Sequence, residues 1–457
     1  MTRTGRTVAV LTVVGALTSV RMSGQSASAP AAAPTYSKDV APVLYKHCTS
    51  CHRAGEIAPM SLMTYSETRP WARSIGARVA AGIMPPWHAD ARVGEFDNDR
   101  RLTELEKDTI AAWVAAGAPE GDPKDLPAPP RYAEGWSINR PDVVLTMQED
   151  YAIPATGTIA YQYFEVPTNF SEDKWIQAYE VRPSNRSVVH HVIVYARPPA
   201  PPTAGGQPQS GPRPVPVFTF ADGMEIPAGQ TGGPELPPDQ QKRPGPNDRP
   251  APRRLGASFG GYVPGTSSRT YPAGTAVRIP AGSTLIFQMH YTTTGKATTD
   301  RTGIGLVYAP APPSIELRST ALINGSLEIP AGAPDHRVDA EMTINRDVTL
   351  WSMLPHTHVR GKRWVYDVTY PDGRKEVILS VPKYDFEWQT EYKFQRPMKL
   401  PKGTTLHATA WYDNSAGNRA NPDPTSKVWW GDQTWEEMMF TGLLYSVDSA
   451  EPPKSTQ

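Results

Sequence analysis

The sequence predicts a chain of several domains, with a small all-α domain followed by two all-β antiparallel sandwiches. Its 457 residues leave room for about three domains of roughly 100–200 residues each. The 49 prolines disfavour long helices, and many Val, Thr and Tyr residues favour strands. From about residue 140, short apolar runs alternate with Gly, Pro, Asn and Asp, as in antiparallel sandwiches. These runs are 188–195, 284–291, 348–354 and 364–370.

The all-α domain is predicted from two helical patterns before residue 120. Ser37 can cap a first helix, and Thr103 with Glu106 forms a capping box for a second. Gly117 stands where the second helix would end. The apolar residues at about helical spacing are Val40, Val43, Leu44, Leu105, Ile110, Trp113 and Val114.

The N-terminus has the pattern of an export signal, assigned to residues 1–30. Arg3 and Arg6 precede an apolar stretch over 8–20, and the small residues 26–29 offer a cleavage site. The stretch is too short to span a bilayer, so we expect a periplasmic or secreted protein without a membrane span after signal removal. An uncleaved anchor is the alternative. The 46 basic and 46 acidic residues balance, which disfavours a nucleic-acid partner.

Cys48, Cys51 and His52 form a C-x-x-C-H motif, the attachment pattern of one covalent haem c. The cysteines can add to the haem vinyl groups, and His52 can supply the fifth iron ligand. A redox disulfide or a zinc half-site is the alternative. Zinc would need further soft ligands nearby, and the chain has no other cysteine.

With its flanking helices, this motif resembles a small class I cytochrome c over residues 35–120. The resemblance implies an axial methionine, and Met84, which precedes two prolines, fits that role. Met60, Met63 and His88 compete for it. We therefore predict a signal at 1–30, a cytochrome c-like domain at 31–122 and a linker at 123–140.

Three short segments of the β region concentrate histidines. His190 and His191 are adjacent, so they can share a metal only at a bulge or a strand end. His290 follows Gln288 by two positions. His356 and His358 are also two apart, which places both on one face of a strand. Copper, zinc and non-haem iron all accept imidazole.

The order His-His, Gln-x-His-Tyr, His-Thr-His and Glu-Glu-Met resembles the copper type II, ascorbate-dependent monooxygenases over residues 140–447. That family includes peptidylglycine α-hydroxylating monooxygenase and dopamine β-monooxygenase. The resemblance implies two jelly-roll sandwich domains facing each other across a wet cleft, with one of two coppers on each. We assign them to 141–312, with a Pro/Gly-rich insertion at 197–254, and to 313–450.

Carried over by position, the resemblance assigns six copper ligands. One copper would store and deliver an electron, and the other would bind dioxygen beside the substrate. The first set is His190, His191 and His290, and the second, catalytic set is His356, His358 and Met438. Met439 replaces Met438 if the register slips by one. The remaining histidines are interpreted as structural or exposed, with His407 a candidate neighbour of the second copper.

The expected function is hydroxylation of a C–H bond with dioxygen, with the coppers re-reduced through the haem domain. The partners would be dioxygen, a small organic substrate and an external donor, either ascorbate or a redox protein. Leu354 stands where peptide-amidating relatives have an arginine that holds a carboxylate, and nothing places Arg360 in that role. A less polar substrate is therefore favoured. The alternatives are a non-catalytic haem/copper electron-transfer protein and a copper-binding module without catalysis.

Overall fold

The protein is mostly β-sheet with few helices, which is compatible with β-sandwich domains. The computed structural model describes residues 1–2, 33–199, 224–225 and 255–448, apart from single positions at 57, 134, 264, 266 and 267. The predicted signal at 1–30 and nearly all of the predicted insertion at 197–254 lie outside the described residues.

The helices of the described chain fall between residues 36 and 125. They are α1 (Ala41–His47), α2 (Tyr65–Thr68), α3 (Ala72–Ala80) and α4 (Glu104–Ala115). A π-helical turn, Tyr36–Val40, precedes α1, and 3-10 turns occupy Arg69–Trp71 and Pro123–Asp125. Most of the described residues between 123 and 140 are exposed, although Ile138 is buried, and the linker there stays a prediction.

Helix α4 follows its prediction except at one position. Thr103 and Glu106 form the capping box, and Gly117 adopts a positive φ of 85° just beyond the helix. Ile110 and Trp113 are completely buried against the other helices. Leu105 instead is 77% exposed, because it lies on the opposite side of the helix.

The start of the helical region differs from the prediction. Thr35, not Ser37, is the cap, and its side chain accepts the N–H of Lys38. Ser37 cannot be the cap because the helical region already begins at Tyr36, one residue earlier. Ser37 therefore lies inside the turn, where its side chain is buried. Val40 and Leu44 nevertheless form part of the small core as predicted.

Twenty-two strands are described. The first half comprises β1 (Val143–Thr146), β2 (Tyr151–Ile153), β3 (Gln162–Pro167), β4 (Lys174–Arg182), β5 (Val189–Arg197), β6 (Met224–Glu225), β7 (Ala257–Tyr262), β8 (Ser268–Thr270), β9 (Thr275–Ile279), β10 (Thr284–Tyr291), β11 (Thr298–Asp300) and β12 (Gly303–Tyr308). The second half comprises β13 (Ile315–Ile323), β14 (Glu328–Ile329), β15 (His336–Ile344), β16 (Val348–His356), β17 (Gly361–Thr369), β18 (Lys375–Val381), β19 (Tyr392–Leu400), β20 (Thr405–Tyr412), β21 (Val428–Trp429) and β22 (Phe440–Val447).

One long sheet runs through both halves of the β region. Its order is β1-β12-β4-β9-β13-β22-β16-β19, with β8 also paired to β4. The halves join where β9 and β13 pair in parallel, with Thr275 opposite Ile315. The first half of this sheet packs on the sheet β3-β10-β5-β7, and the second half packs on β18-β17-β20-β15-β6. The small pairs β2–β11 and β14–β21 complete the topology.

A segment between α3 and α4 packs into the second β half. Trp87 and Phe96 are buried in the core of the second β half, where their rings pack against Tyr392. The backbone of Phe96 also forms an antiparallel β-bridge with Phe394 on β19. The backbone N–H of Asp97 also donates to the carbonyl of Lys393 over 2.8 Å. The helical region is thus anchored to the β region within the stretch that the sequence assigns to the helical domain.

A largely buried ion pair also links the two β halves. Arg269 on β8 contacts Glu391, which comes directly before β19, at 2.5 Å. The hydroxyl of Ser352 on β16 donates to the same carboxylate. Burial alone would raise the pKa of Glu391, but the Arg269 and Lys393 charges and this hydrogen bond hold it below its ordinary value.

None of the helices in the described chain combines the length and apolar character that crossing a bilayer requires.

We expect Glu391→Gln to lower the free energy of unfolding by about 3 kcal/mol at pH 7, because Arg269 is left buried without its partner charge. Glu328→Gln is the matched control, since Glu328 pairs with Lys427 at the surface and the change should cost under about 1 kcal/mol. Urea unfolding followed by tryptophan fluorescence measures both. Equal losses in the two variants would show that the pair does not hold the halves together.

The same pair predicts a pH dependence. In the folded protein the pKa of Glu391 lies below its ordinary value of about 4.3. The ion pair therefore contributes its full stabilising free energy above about pH 4.3, and this contribution is lost as the pH falls through the pKa of the folded state. The difference between wild type and Glu391→Gln should therefore shrink below about pH 4. A constant difference down to pH 2 would contradict the assignment.

Candidate metal centre

His190, His191 and His290 converge where β5 pairs with β10. His290 lies opposite His191, and the next pair is Tyr291 with Val189, so His190 is the extra residue of a β-bulge. This is the irregularity that the adjacent histidines required. The three ligand atoms lie within 4.8 Å of one another, so these residues could hold a metal ion.

The chemistry of this first set fits a bound cation. Burial lowers the pKa of His191 and His290 well below the ordinary value, and the neighbouring imidazoles lower it further. The rings are therefore neutral and offer lone pairs. The Nδ1 atom of His290 is buried without a hydrogen-bond partner, and His190 Nε2 lies 3.0 Å from Glu387.

His356 and His358 form a second pair of buried imidazoles, with ring centroids 5.2 Å apart. His356 is the last residue of β16, and His358 lies in the turn beyond it, so they do not share one regular strand face. Burial lowers the pKa of His356 to about 4 and that of His358 well below the ordinary value. The Nε2 atom of His358 is buried without a partner, which again fits a metal ligand.

Strand pairing brings Met438 to this second pair. Phe440 on β22 lies opposite His356, so Met438, two residues earlier, reaches the same end of the sheet. Met438 lines a small cavity together with His356 and His191. Met439 is buried in the core of the second half, and its carbonyl accepts the N–H of Asn324. Of the two methionines, Met438 is therefore the one on the cavity.

A buried carboxylate behind the second set organises its backbone. Glu437 accepts the backbone N–H groups of His358 and Arg360, each at 2.7 Å, and that of Met438 at 3.1 Å. Burial raises the pKa of Glu437 to about 7, although these hydrogen bonds oppose the rise. The Arg360 side chain is also committed, since it donates to Asn414.

The two sets lie close together in one buried region rather than across a wet cleft. The rings of His191 and His356 are 6.3 Å apart between centroids. Tyr161 packs edge-on against His191, His290 and His358. The cavity between the sets is lined by Tyr161, His191, Ile193, Tyr195, Leu255, Gln288, His356, Asp432, Met438 and Phe440.

Gln389 bridges the two sets and was not found from the sequence. Its Oε1 lies 2.9 Å from His356 Nδ1, and its Nε2 lies 3.5 Å from His191 Nδ1. Accepting the N–H at Nδ1 of His356 leaves Nε2 of that ring as the lone-pair atom. Gln389 lies in the loop between β18 and β19, where no spacing relative to a histidine marks it.

The C-x-x-C-H motif forms a tight turn directly after α1. The backbone N–H groups of Cys51 and His52 both donate to the carbonyl of Cys48, and both cysteines are free thiols. His52 Nδ1 is buried without a partner, and burial lowers the pKa of His52. Two thiols at this spacing beside a buried, neutral imidazole fit covalent haem attachment.

The axial role of Met84 stays a prediction. Met84 is half-buried after α3, precedes a cis peptide bond to Pro85, and donates its N–H to Arg78. Its rival His88 lies close to the charges of Asp385 and Lys383 in the second β half. Its rival Met60 packs on the helical core.

Two further histidines, His47 and His407, have protein partners. His47 lies 3.1 Å from Glu106 on α4. His407 lies between Asp367 and Asp339, at 2.9 and 3.1 Å, on the sheet that contains β15, β17 and β20. These contacts give both histidines a structural explanation.

Comparison with known proteins does not assign the chain to a family. No protein-family profile matches the chain, and no curated protein matches it. Similar solved structures include infectious bursal disease virus, Gx strain (TM-score 0.19, 7% identity, 68% of this chain and 74% of that chain). Another is the mavirus major capsid protein, with a TM-score of 0.19 and 9% identity over 77% of this chain and 93% of that chain. A third is an allantoicase, with a TM-score of 0.16 and 8% identity over 59% of this chain and 81% of that chain. TM-scores this low carry no argument.

We expect Gln389→Leu to weaken copper binding at the second set by about 10- to 100-fold, because His356 loses the acceptor that fixes its orientation. Gln389→Glu keeps an acceptor and should retain most of the affinity. Gln395→Leu, at an exposed position of β19, is the control. Competition titrations with a Cu(I) chelator measure the affinity, and equal binding by all four proteins would exclude a positioning role for Gln389.

Proposed function

We propose that the chain is an exported copper-dependent monooxygenase that hydroxylates a C–H bond with dioxygen and is re-reduced through a covalently attached haem. The observation that carries the proposal is that His190, His191 and His290 form one cluster, and that His191 of this cluster shares a small cavity with His356 and Met438. His358 joins them through its ring contacts with His356 and Tyr161.

The two donor sets differ in the way that the proposed chemistry requires. Three imidazole ligands accommodate both oxidation states of copper, whereas a thioether softens the second set and favours Cu(I). Copper bound at the two sets would supply one-electron transfer and dioxygen activation. We assign the first set to electron storage and the second to the reaction with dioxygen.

The protein groups around the second set hold it in place and exclude water. Glu437 fixes the backbone that carries His358 and Met438, and Gln389 orients His356. Phe440 and Tyr161 pack against the histidine rings. These contacts restrain the orientation of the ligands before substrate binds.

The cavity favours a substrate with an apolar reacting part. Ile193, Leu255 and Phe440 contribute apolar walls beside His356. A bidentate clamp for a carboxylate is missing, because Leu354 occupies its position in the chain and Arg360 is committed to Asn414. Dioxygen, a small organic substrate and ascorbate or a redox protein as donor are therefore the expected partners.

Metal content and turnover test the proposal together. We expect the purified protein to contain one iron and two coppers and to couple dioxygen uptake to product formation with ascorbate. Because the substrate is not identified, aromatic, fatty and peptide compounds would each be tested for dioxygen uptake and product formation. Copper that is reduced through the haem without any product would favour the non-catalytic electron-transfer protein, and copper that never cycles would favour a storage module.

We expect Met438→Leu to reduce turnover by at least about 100-fold, because the second set loses its thioether while the side-chain volume is nearly conserved. Met439→Leu is the matched control: its side chain packs in the core and should leave turnover near wild type. Dioxygen uptake measures both variants. Loss of turnover in Met439→Leu with near wild-type turnover in Met438→Leu would show that Met439 is the thioether ligand.

We expect Cys48→Ala with Cys51→Ala to remove the haem and to slow turnover with a cytochrome-type donor, while excess ascorbate still supports it. The physical reason is that ascorbate can reach copper without the haem. Turnover with each donor is the measurement. If the haem-free protein is equally active with both donors, the haem takes no part in re-reduction.

A further inference from the structure

The turn that carries the C-x-x-C-H motif is packed against the first β half. A Cβ at Gly265 would lie 2.6 Å from the sulfur of Cys51, so the thiol rests directly on the Gly265 backbone. Gly265 also has a positive φ of 78°, and Arg100 donates to its carbonyl over 3.2 Å. The atom through which a haem would be attached is therefore in contact with the β region.

A mostly buried ion pair holds the same turn. Glu56, five residues after Cys51, pairs with Arg186, and only 16% and 20% of their side chains are exposed. Arg53 joins the pair through Glu56 at 2.7 Å. Arg186 lies in the loop between β4 and β5, four residues before His190. Charges removed from water in this way need a fixed partner geometry, so the contact is a specific one.

Tyr262 lies between this turn and the first histidine set. It is the last residue of β7, is buried, and pairs with Val192 on β5, the residue that follows His191. Burial raises the pKa of Tyr262 to about 12; Glu56 and Cys51 raise it further, and Arg186 opposes them. Tyr262 is also only three residues before Gly265 in the chain, so β7 connects the contact at Cys51 to the strand that carries His191.

These five residues form what we call the docking contact. Its members are Cys51 and Glu56 on the helical side, and Arg186, Tyr262 and Gly265 on the β side.

We infer that the docking contact is the path by which an electron passes from the attached haem to the first histidine set, before the second set. This inference rests on the proposed function and deepens it. In the transfer, ferrous haem loses one electron and a cupric ion held by His190, His191 and His290 gains it. No atom or proton moves, and the external one-electron donor, ascorbate or a redox protein, reduces the iron again.

The direction of the path follows from which β half each segment touches. Cys51 and Glu56 contact the loops around β5 and β7, on the strands that lead to His191. The anchoring residues Trp87 and Phe96 contact the second half instead, on the side of the predicted axial ligand Met84 rather than on the side of the cysteines. The turn that carries Cys51 and His52 therefore contacts the β half that contains the first set.

Full-length protein loaded with haem and Cu(II) is the material for the test. The haem is reduced by a short photochemical pulse without dioxygen, and the decay of the ferrous absorption gives the rate of internal transfer. The variants are Arg186→Glu, the charge exchange Glu56→Arg with Arg186→Glu, and Gly265→Ala. The control is Gly373→Ala, which has a similar φ of 85° but open space at its Cβ.

We expect Arg186→Glu and Gly265→Ala to slow the transfer at least about tenfold, because small displacements of held groups have large effects on rates. The charge exchange should recover most of the rate, and Gly373→Ala should match wild type. The loss of ferrous haem should coincide with loss of the Cu(II) resonance of the first set. Wild-type rates in both Arg186→Glu and Gly265→Ala overturn the inference.

Hydrogen exchange on haem-loaded, copper-free protein supplies a second readout. Amides of 186–192 and 258–262 should exchange faster in Arg186→Glu than in wild type. Faster exchange with an unchanged transfer rate also overturns the inference, because the contact is then loosened without effect. Failure of the proposed function looks different: wild type then binds no copper, or forms no product with ascorbate, whatever the transfer rate.

Discussion

The burial of four neutral imidazoles in one small region, with the half-buried His190 beside them, is the constraint around which the protein is organised. A buried imidazolium would be costly, so burial lowers the pKa values of His191, His290, His356 and His358 and leaves lone pairs on their rings. Buried polar atoms without partners cost about 1–3 kcal/mol each. The unpartnered nitrogens of His290 and His358 are therefore expensive to the apoprotein, and a bound cation would remove that cost.

The β architecture holds these histidines at close range. Because β9 and β13 join the two halves into one sheet, neither half can move away without breaking strand pairs. The Arg269–Glu391 pair and the buried aromatic residues Trp87 and Phe96 add further links. The consequence for function is that the two ligand sets lie close together, with the rings of His191 and His356 6.3 Å apart between centroids, which shortens the path between them.

The helical region is connected to this centre on two sides. Its aromatic anchor enters the second half, while the C-x-x-C-H turn rests on the first. Tyr132 of the linker adds a third link, since its hydroxyl lies 2.6 Å from Thr49 and Arg53 packs over its ring. A redox group attached to this turn would thus be held in a defined place relative to the histidines, which a flexible tether could not ensure.

Residue types and local spacing allowed the sequence by itself to determine the mostly β class, the capping of α4 and the need for a bulge at His190, because each of these depends on neighbours within a few positions. Other features are decided only by the tertiary structure. Strand pairing placed Met438, and not Met439, on the cavity beside His356, and it ended β16 before His358. Packing brought the two histidine sets together where a wide cleft was expected. Gln389 and Glu437 became partners of histidines 33 and 79 positions away. Sequence periodicity describes the faces of a strand, but which strands meet, and which side chains then share a cavity, depends on pairing between distant segments.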